Sequence, residues 1–148
     1  MDRLALGGWE KLLDGLKKHV FVFPDVIGTL EALHKKYKLI IISNANDRFL
    51  NIKLEAEGLK QYFDCIYSAP SKFGMRKSKP VFEKILEELK LKPEEVVHVG
   101  DDHDGDYLTP TEIGMHAFHL LRGRKRTGEY EIQSLRELPK KIEEIHNR

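Results

Sequence analysis

The sequence predicts an α/β fold, a parallel sheet with helices packed on both faces. Three observations lead there. Short apolar runs of strand length alternate along the chain with segments whose apolar residues recur at helical spacing. Helix-opening and helix-ending residues mark the boundaries between them. Polar and acidic residues cluster just after the apolar runs, and open α/β sheets bind ligands at the carboxyl ends of their strands. Strands separated by helices pair in parallel and are buried on both faces.

The elements follow in order. Trp9, Leu12, Leu13 and Leu16 have helical spacing over residues 9–18. In HVFVFPDVIGTLEAL, residues 19–33, an apolar run meets Pro24 and Asp25. Pro24-Asp25 opens a helix whose stripe is Val26, Leu30, Leu33 and Tyr37, or Asp25 ends a buried strand as a nucleophile. Residues 39–42, a Leu and three Ile, form a strand. Asp47 begins a helix carrying Phe49, Leu50, Ile52 and Leu54, and Gly58 stops it. Residues 63–67 are a second strand. Pro80 sits in the first turn of a helix containing Phe82, Ile85, Leu86 and Leu89. Residues 96–99 are a third strand, residues 107–113 a short helix ending near Gly114, residues 116–121 a fourth strand, and residues 134–145 a closing helix.

A chain of 148 residues fits one domain. Its hydrophobic fraction of 41% and charged fraction of 33% supply a core under a heavily charged surface. A net charge of +1 gives no global attraction to nucleic acid or membrane, and neither is an expected partner. Cys65 is the single cysteine, so no internal disulfide forms and a reducing, cytoplasmic setting is expected. Gly7 and Gly8 break the short apolar stretch after Met1-Asp2-Arg3, so no secretory leader is expected. The apolar run at 39–42 is far short of the roughly 20 residues that span a bilayer.

The chemistry lies at the strand ends. After residue 42 comes Ser43-Asn44-Ala45-Asn46. The Ser43 hydroxyl, nearby amides and the start of the next helix suit an anionic oxygen. Alternatively, Ser43 or Asn46 only caps that helix. After residue 99 comes Gly100-Asp101-Asp102-His103-Asp104-Gly105-Asp106. Clustered carboxylates repel one another unless a cation joins them, and a hard divalent ion with oxygen ligands answers this. The alternative is a solvated acidic loop. An EF-hand is excluded, because neither its glycine nor its terminal Glu falls at the required offset.

Lys72, Arg76, Lys77 and Lys79 precede the Pro80 helix. A Lys there neutralises a substrate phosphate and a strand-end carboxylate, or simply belongs to a basic surface loop. His98, His103, His116 and His119 suggest a transition-metal site, but His116 and His119, three apart in a strand, face opposite sides, which disfavours zinc and leaves His103 in the acidic loop as the one histidine to follow. Cys65 reads as a small core residue, and Arg122-Gly123-Arg124-Lys125-Arg126 as a solvated loop, with contact to a phosphorylated substrate as the alternative.

From Phe23 onward the pattern resembles the haloacid dehalogenase-like hydrolase superfamily. FPDVIGTLEALHKKYKLIIISNA resembles that family's return from its cap domain into the second core strand. Ser43 then matches the second motif, which binds the transferred phosphoryl group. EGLKQYFDCIYSA resembles the stretch leading into the third core strand, and GMRKSKPVFEKILEELKLKPEEVVHVGDD resembles the third motif, its helix and the fourth motif. The resemblance implies a three-layer Rossmann-like core and magnesium-dependent hydrolysis of a small phosphorylated substrate. It implies Mg2+ as cofactor, held by Asp101 and Asp106 with Asp102 assisting. Ser43, Asn44 and Lys77 become substrate-binding residues, with Ser43 and Lys77 also in the catalytic set. The family spacing of Lys, two residues and Pro selects Lys77, with Lys79 and Arg76 as alternatives. Dehalogenation at carbon shares the scaffold.

The front of the chain departs from the family. There the nucleophile is an Asp ending the first core strand, several dozen residues before the second motif with a cap between. Here only residues 1–42 precede Ser43. Asp25-Val26-Ile27-Gly28-Thr29-Leu30 imitates the nucleophile motif, with Ile27 in place of its second Asp. Residues 26–42 alone separate Asp25 from Ser43, and a three-turn crossover helix uses about 11 of them. The helix-opening reading is therefore favoured, with Asp25 kept as the candidate nucleophile. The family's nucleophile strand lies between the Ser43 and Asp101 strands. Residues 20–23, a partner chain or a missing N-terminal segment must fill that place. Residues 1–22 are expected to be a helical cap remnant with its linker, and residues 23–148 a core incomplete on its N-terminal side. The alternative function is a non-catalytic or truncated module for ligand binding or self-association as a homo-oligomer.

Overall fold

The computed structural model describes residues 22–125 and 127–147. The helix expected over residues 9–18, and all but the last two residues of the run at 20–23, lie outside them. Pro24 and Asp25 form a turn in which the Val26 amide donates to the Phe23 carbonyl at 3.1 Å. Helix α1, Val26–His34, follows directly. Strand β1, Ile40–Ser43, leads to α2, Asp47–Ala56. Gly58 stands just beyond α2 at φ 70°, a left-handed conformation that costs glycine little. Strand β2, Cys65–Ser68, runs straight into the short helix α3, Ala69–Phe73. Then come α4, Lys79–Leu89, and β3, Val97–Gly100. A π-helical turn, His103–Leu108, continues into α5, Thr109–Glu112. Strand β4, His116–Leu120, strand β5, Glu131–Ile132, and helix α6, Leu138–His146, close the order.

All strand pairing is parallel, as the alternation predicts. It falls into two groups: β1 beside β2, and β3–β4–β5 in that order. Among the described residues no strand joins β1 to β3. Two helices hold the groups together instead. On one face α1 packs Leu33 against Phe118 and Ile132 of the three-stranded group, with Val97 and Val99 alongside. The same helix packs Val26 and Leu30 with Ile41 and Ile66 of the two-stranded group. On the other face α4 packs Val81 and Ile85 with Tyr67, Ile40 and Ile42, while Phe82 and Leu86 meet Met115 and Val96. Strand alternation accounts for this division, since successive side chains point to opposite faces.

Five details differ from the sequence reading. The second strand starts at Cys65 rather than residue 63. Helix α3 and the two-residue strand β5 were not anticipated. The helix expected over 107–113 begins earlier, as the π-helical turn. Arg122 is not a solvated loop residue: it is three-quarters buried and paired with Asp25. Among the described residues no helix is long and apolar enough to cross a membrane.

Candidate functional site

The carboxyl ends of β1 and β3 carry the candidate residues, and two loops bring them together. Ser43 is the last residue of β1. Its Oγ accepts from the Ala45 amide at 3.0 Å, shaping the loop rather than capping α2. Asn46 is the helix cap, its Oδ1 accepting from the Phe49 amide at 3.0 Å. The sequence did not single out two serines that anchor this loop from beneath. Ser68, buried at the end of β2, donates to the Ala45 carbonyl at 2.6 Å, and Ser71 Oγ accepts from the Asp47 amide at 2.9 Å.

Asn44 reaches across to the loop before α4. Its Oδ1 accepts from the Lys77 backbone amide at 2.6 Å. The Lys77 side chain then turns inward, 13% exposed, and its Nζ lies 2.7 Å from Asp106 Oδ1. Arg76 and Lys79 lie on the surface, so Lys77 is the cation of this loop that reaches the acidic segment.

Asp106 is 2% exposed. Its Oδ1 also meets His98 Nε2 at 2.8 Å, and its Oδ2 accepts from the Asp102 amide at 3.1 Å. Burial pushes the Asp106 pKa up, but the hydrogen bonds and charges of His98 and Lys77 outweigh it and lower the value to about 2. Asp106 is thus an anion across the ordinary pH range. Close approach requires Gly100, because a Cβ there would collide with the Asp106 carboxyl. His98 is the site residue the sequence reading missed.

The other acids are placed differently. Asp102 caps the π-helical turn, its Oδ2 accepting from the Gly105 amide at 3.0 Å. The Asp101 side chain is exposed, and its backbone carbonyl lies 3.0 Å from His119 Nε2. Among the described residues no three His, Cys, Asp or Glu side chains converge as a closed metal cage. Magnesium does not need one: it keeps several waters and binds through one or two carboxylates together with substrate phosphate. The open carboxylate of Asp101 suits it as a direct oxygen ligand, with Asp102 beside it. Asp106, already holding two nitrogen donors on one oxygen, suits an outer position.

Asp25 stands apart from this group. It is 4% exposed at the head of α1, and its Oδ2 accepts from Arg122 Nη1 at 2.9 Å, Ser134 Oγ at 3.0 Å and the Leu135 amide at 2.7 Å. The Arg122 guanidinium also stacks 3.9 Å over the Phe23 ring. Asn44, Lys77 and Asp106 are therefore linked, Ser43 precedes Asn44 at the end of β1, Asp102 meets Asp106 through its amide, and Asp25 is bound elsewhere.

Comparison with known proteins identifies the family. A family model described as haloacid dehalogenase-like hydrolase matches residues 12–114. A glyceraldehyde 3-phosphate phosphatase of Methanocaldococcus jannaschii is 36% identical over 124 residues, covering 78% of this chain and 54% of the relative. The crystal structure of a phosphatase of this family from Thermococcus onnurineus superposes with a TM-score of 0.80 at 32% identity, over 90% of this chain and 64% of that one. A 2-haloacid dehalogenase from Pseudomonas syringae gives a TM-score of 0.77 at 29% identity, over 96% of this chain and 61% of that one. The chain spans between a third and about half of the length of the curated relatives it matches, 33% of a Xenopus laevis protein and 54% of the archaeal phosphatase.

Proposed function

Since this chain belongs to the haloacid dehalogenase-like hydrolases, we propose that its site serves magnesium-dependent hydrolysis of a small phosphate ester. The observation that carries this reading is the bridge from Asn44 through Lys77 to Asp106, 2.6 Å and 2.7 Å, which joins the rim of β1 to the rim of β3. It ties the loop that follows Ser43 to a fixed cation and to the acidic loop, which supports the reading.

Each residue then has a task. Ser43 and Asn44 orient the phosphoryl group, with the loop held by Ser68 at the Ala45 carbonyl and by Ser71 at the Asp47 amide. Lys77 offsets charge on the phosphoryl oxygens while Asp106 fixes its ammonium. Asp101, with Asp102, holds magnesium, which when bound supplies further positive charge against those oxygens. In the family pattern an Asp between the Ser43 strand and the Asp101 strand attacks phosphorus, and no described residue is assigned to that step. Asp25 is assigned to holding the head of α1, because a buried carboxylate committed to Arg122, Ser134 and Leu135 is a poor nucleophile. The free, half-buried thiol of Cys65 suits a reducing cytoplasm.

A second reading has its own support. The absence, among the described residues, of a strand between β1 and β3, together with the commitment of Asp25, favours a module that binds phosphate and magnesium without turnover. One experiment separates the two. Inorganic phosphate binding is measured by calorimetry with and without magnesium, beside turnover of p-nitrophenyl phosphate. Magnesium-dependent binding and turnover, both lost in Lys77→Met, support the hydrolase. Binding without turnover supports the module, and absence of binding refutes both.

A further inference from the structure

His98 is the most tightly constrained residue that the proposed reaction leaves without a task. It lies within β3 on the face turned toward α4, 13% exposed. Its ring meets the buried Phe82 edge-on, with centroids 5.1 Å apart and an interplanar angle of 80°. Its Nε2 lies 2.8 Å from Asp106 Oδ1, the same oxygen that Lys77 Nζ approaches to 2.7 Å. An ionised carboxylate only accepts hydrogen bonds, so Nε2 carries a proton and donates it. Two residues on and on the same face, Gly100 leaves the space into which the Asp106 carboxyl fits.

We propose that His98 is a positioning residue for phosphate recognition: it pins Asp106 Oδ1 where that oxygen holds the Lys77 ammonium. This rests on the reading of Lys77 as the phosphate-facing cation. A lysine ammonium is a point charge on a flexible four-carbon stem, so its place is set by what it is tied to. Asp106 has three donors, and the Asp102 amide holds only its other oxygen. Without His98 the carboxyl can turn about its Cβ–Cγ bond, and Lys77 turns with it. A purely packing role makes a different demand, namely a group of similar volume against Phe82.

Two substitutions separate these roles. His98→Gln places an amide donor near the position of Nε2, and His98→Leu fills the volume without a donor. The first readout needs no substrate: acetylation of the Lys77 amine in the full chain by N-hydroxysuccinimidyl acetate, followed by peptide mass spectrometry. His98→Leu is expected to raise the Lys77 rate about fivefold or more, the scale of one lost hydrogen bond, while His98→Gln stays near the parent. The second readout is inorganic phosphate affinity with magnesium, expected to weaken about tenfold in His98→Leu and to recover in His98→Gln. If His98→Leu does not fold, His98→Asn takes its place, since its shorter amide falls short of Asp106. Unchanged Lys77 reactivity in the donor-free variant overturns the proposal. A parent chain that binds no phosphate, with Lys77 reactivity still governed by residue 98, overturns the proposed function and leaves the His98–Asp106–Lys77 linkage standing.

Discussion

Replacing Asp25 tests whether this residue holds the fold. Its Oδ2 takes three hydrogen bonds, from Arg122, Ser134 and the Leu135 amide, at 2.7 to 3.0 Å. Asp25→Ala strips all three donors of their partner. Arg122 is 27% exposed and keeps its stacking on Phe23, so water recovers part of its loss. At about 1 kcal/mol net per donor, the loss is about 3 kcal/mol at neutral pH, at the low end of the ~3–5 kcal/mol of a fully buried broken pair. Asp25→Asn keeps an acceptor for Ser134 and Leu135 but loses the charge. It also puts an NH2 where Oδ1 is now buried without a hydrogen-bond partner, so about 2 kcal/mol is expected to go.

The pH dependence follows from the sign of the shift. Burial raises the Asp25 pKa, but Arg122, Leu135 and Ser134 together outweigh it and hold the carboxyl below its usual value of 3.8. A depressed folded-state pKa adds stability that is fully present above the unfolded value and is lost as pH falls through the folded one. Urea unfolding followed by circular dichroism should therefore show a constant gap between the parent and Asp25→Asn from pH 7 to about 5. The gap should close only under more acidic conditions. A cost under about 1 kcal/mol for Asp25→Ala, or a gap already narrowing at pH 6, would refute the ion-pair account.

Two further outcomes are expected. Glu57 has a side chain 7% exposed and a buried Oε1 without a hydrogen bond, with Lys53 Nζ 3.9 Å away. Burial raises its pKa more than Lys53 lowers it, so Glu57 loses stability as pH rises through that raised value. Glu57→Gln should gain about 0.5–1 kcal/mol at pH 7, and thermal melts should show the gain shrinking toward the ordinary carboxylate range. Gly100→Ala drives a Cβ into the Asp106 carboxyl. It should cost about 2 kcal/mol in urea unfolding and weaken phosphate binding in calorimetry, as His98→Leu does.

The elements legible in the sequence are those whose signal is local. Runs of Ile and Val gave β1 and β3, and Pro80 with the Phe82, Ile85, Leu86 and Leu89 stripe gave α4. Asp47 and Gly58 bounded α2. What escaped depends on distant partners or on very short segments. Arg122 looks like one member of a basic run because its partner, Asp25, is 97 positions away. Strand β5 has two residues and no period to detect. The family spacing favours Lys77 over Arg76 and Lys79, but its inward turn onto Asp106 depends on a partner 29 positions away. His98 did leave a trace: between Val97 and Val99 it puts a polar group on the α4 face of a buried strand, two residues before a glycine and the acids. A polar residue there needs a buried partner, and Asp106 is that partner.

The assembly of the site and the joining of the two strand groups are one event in this chain. Strand pairing does not connect β1 to β3 among the described residues, so contact between the groups falls to α1, α4 and the loop that carries Lys77. Asp106 is buried as an anion, a state that costs several kcal/mol without paired charges. One of its donors, His98, belongs to its own strand group. The other, Lys77, is tethered by Asn44 to the opposite group. Parting the groups would strand a buried carboxylate with a single side-chain donor. The Lys77 charge proposed for phosphate recognition therefore also resists parting of the two groups, and Lys77→Met should loosen that junction as well as weaken binding.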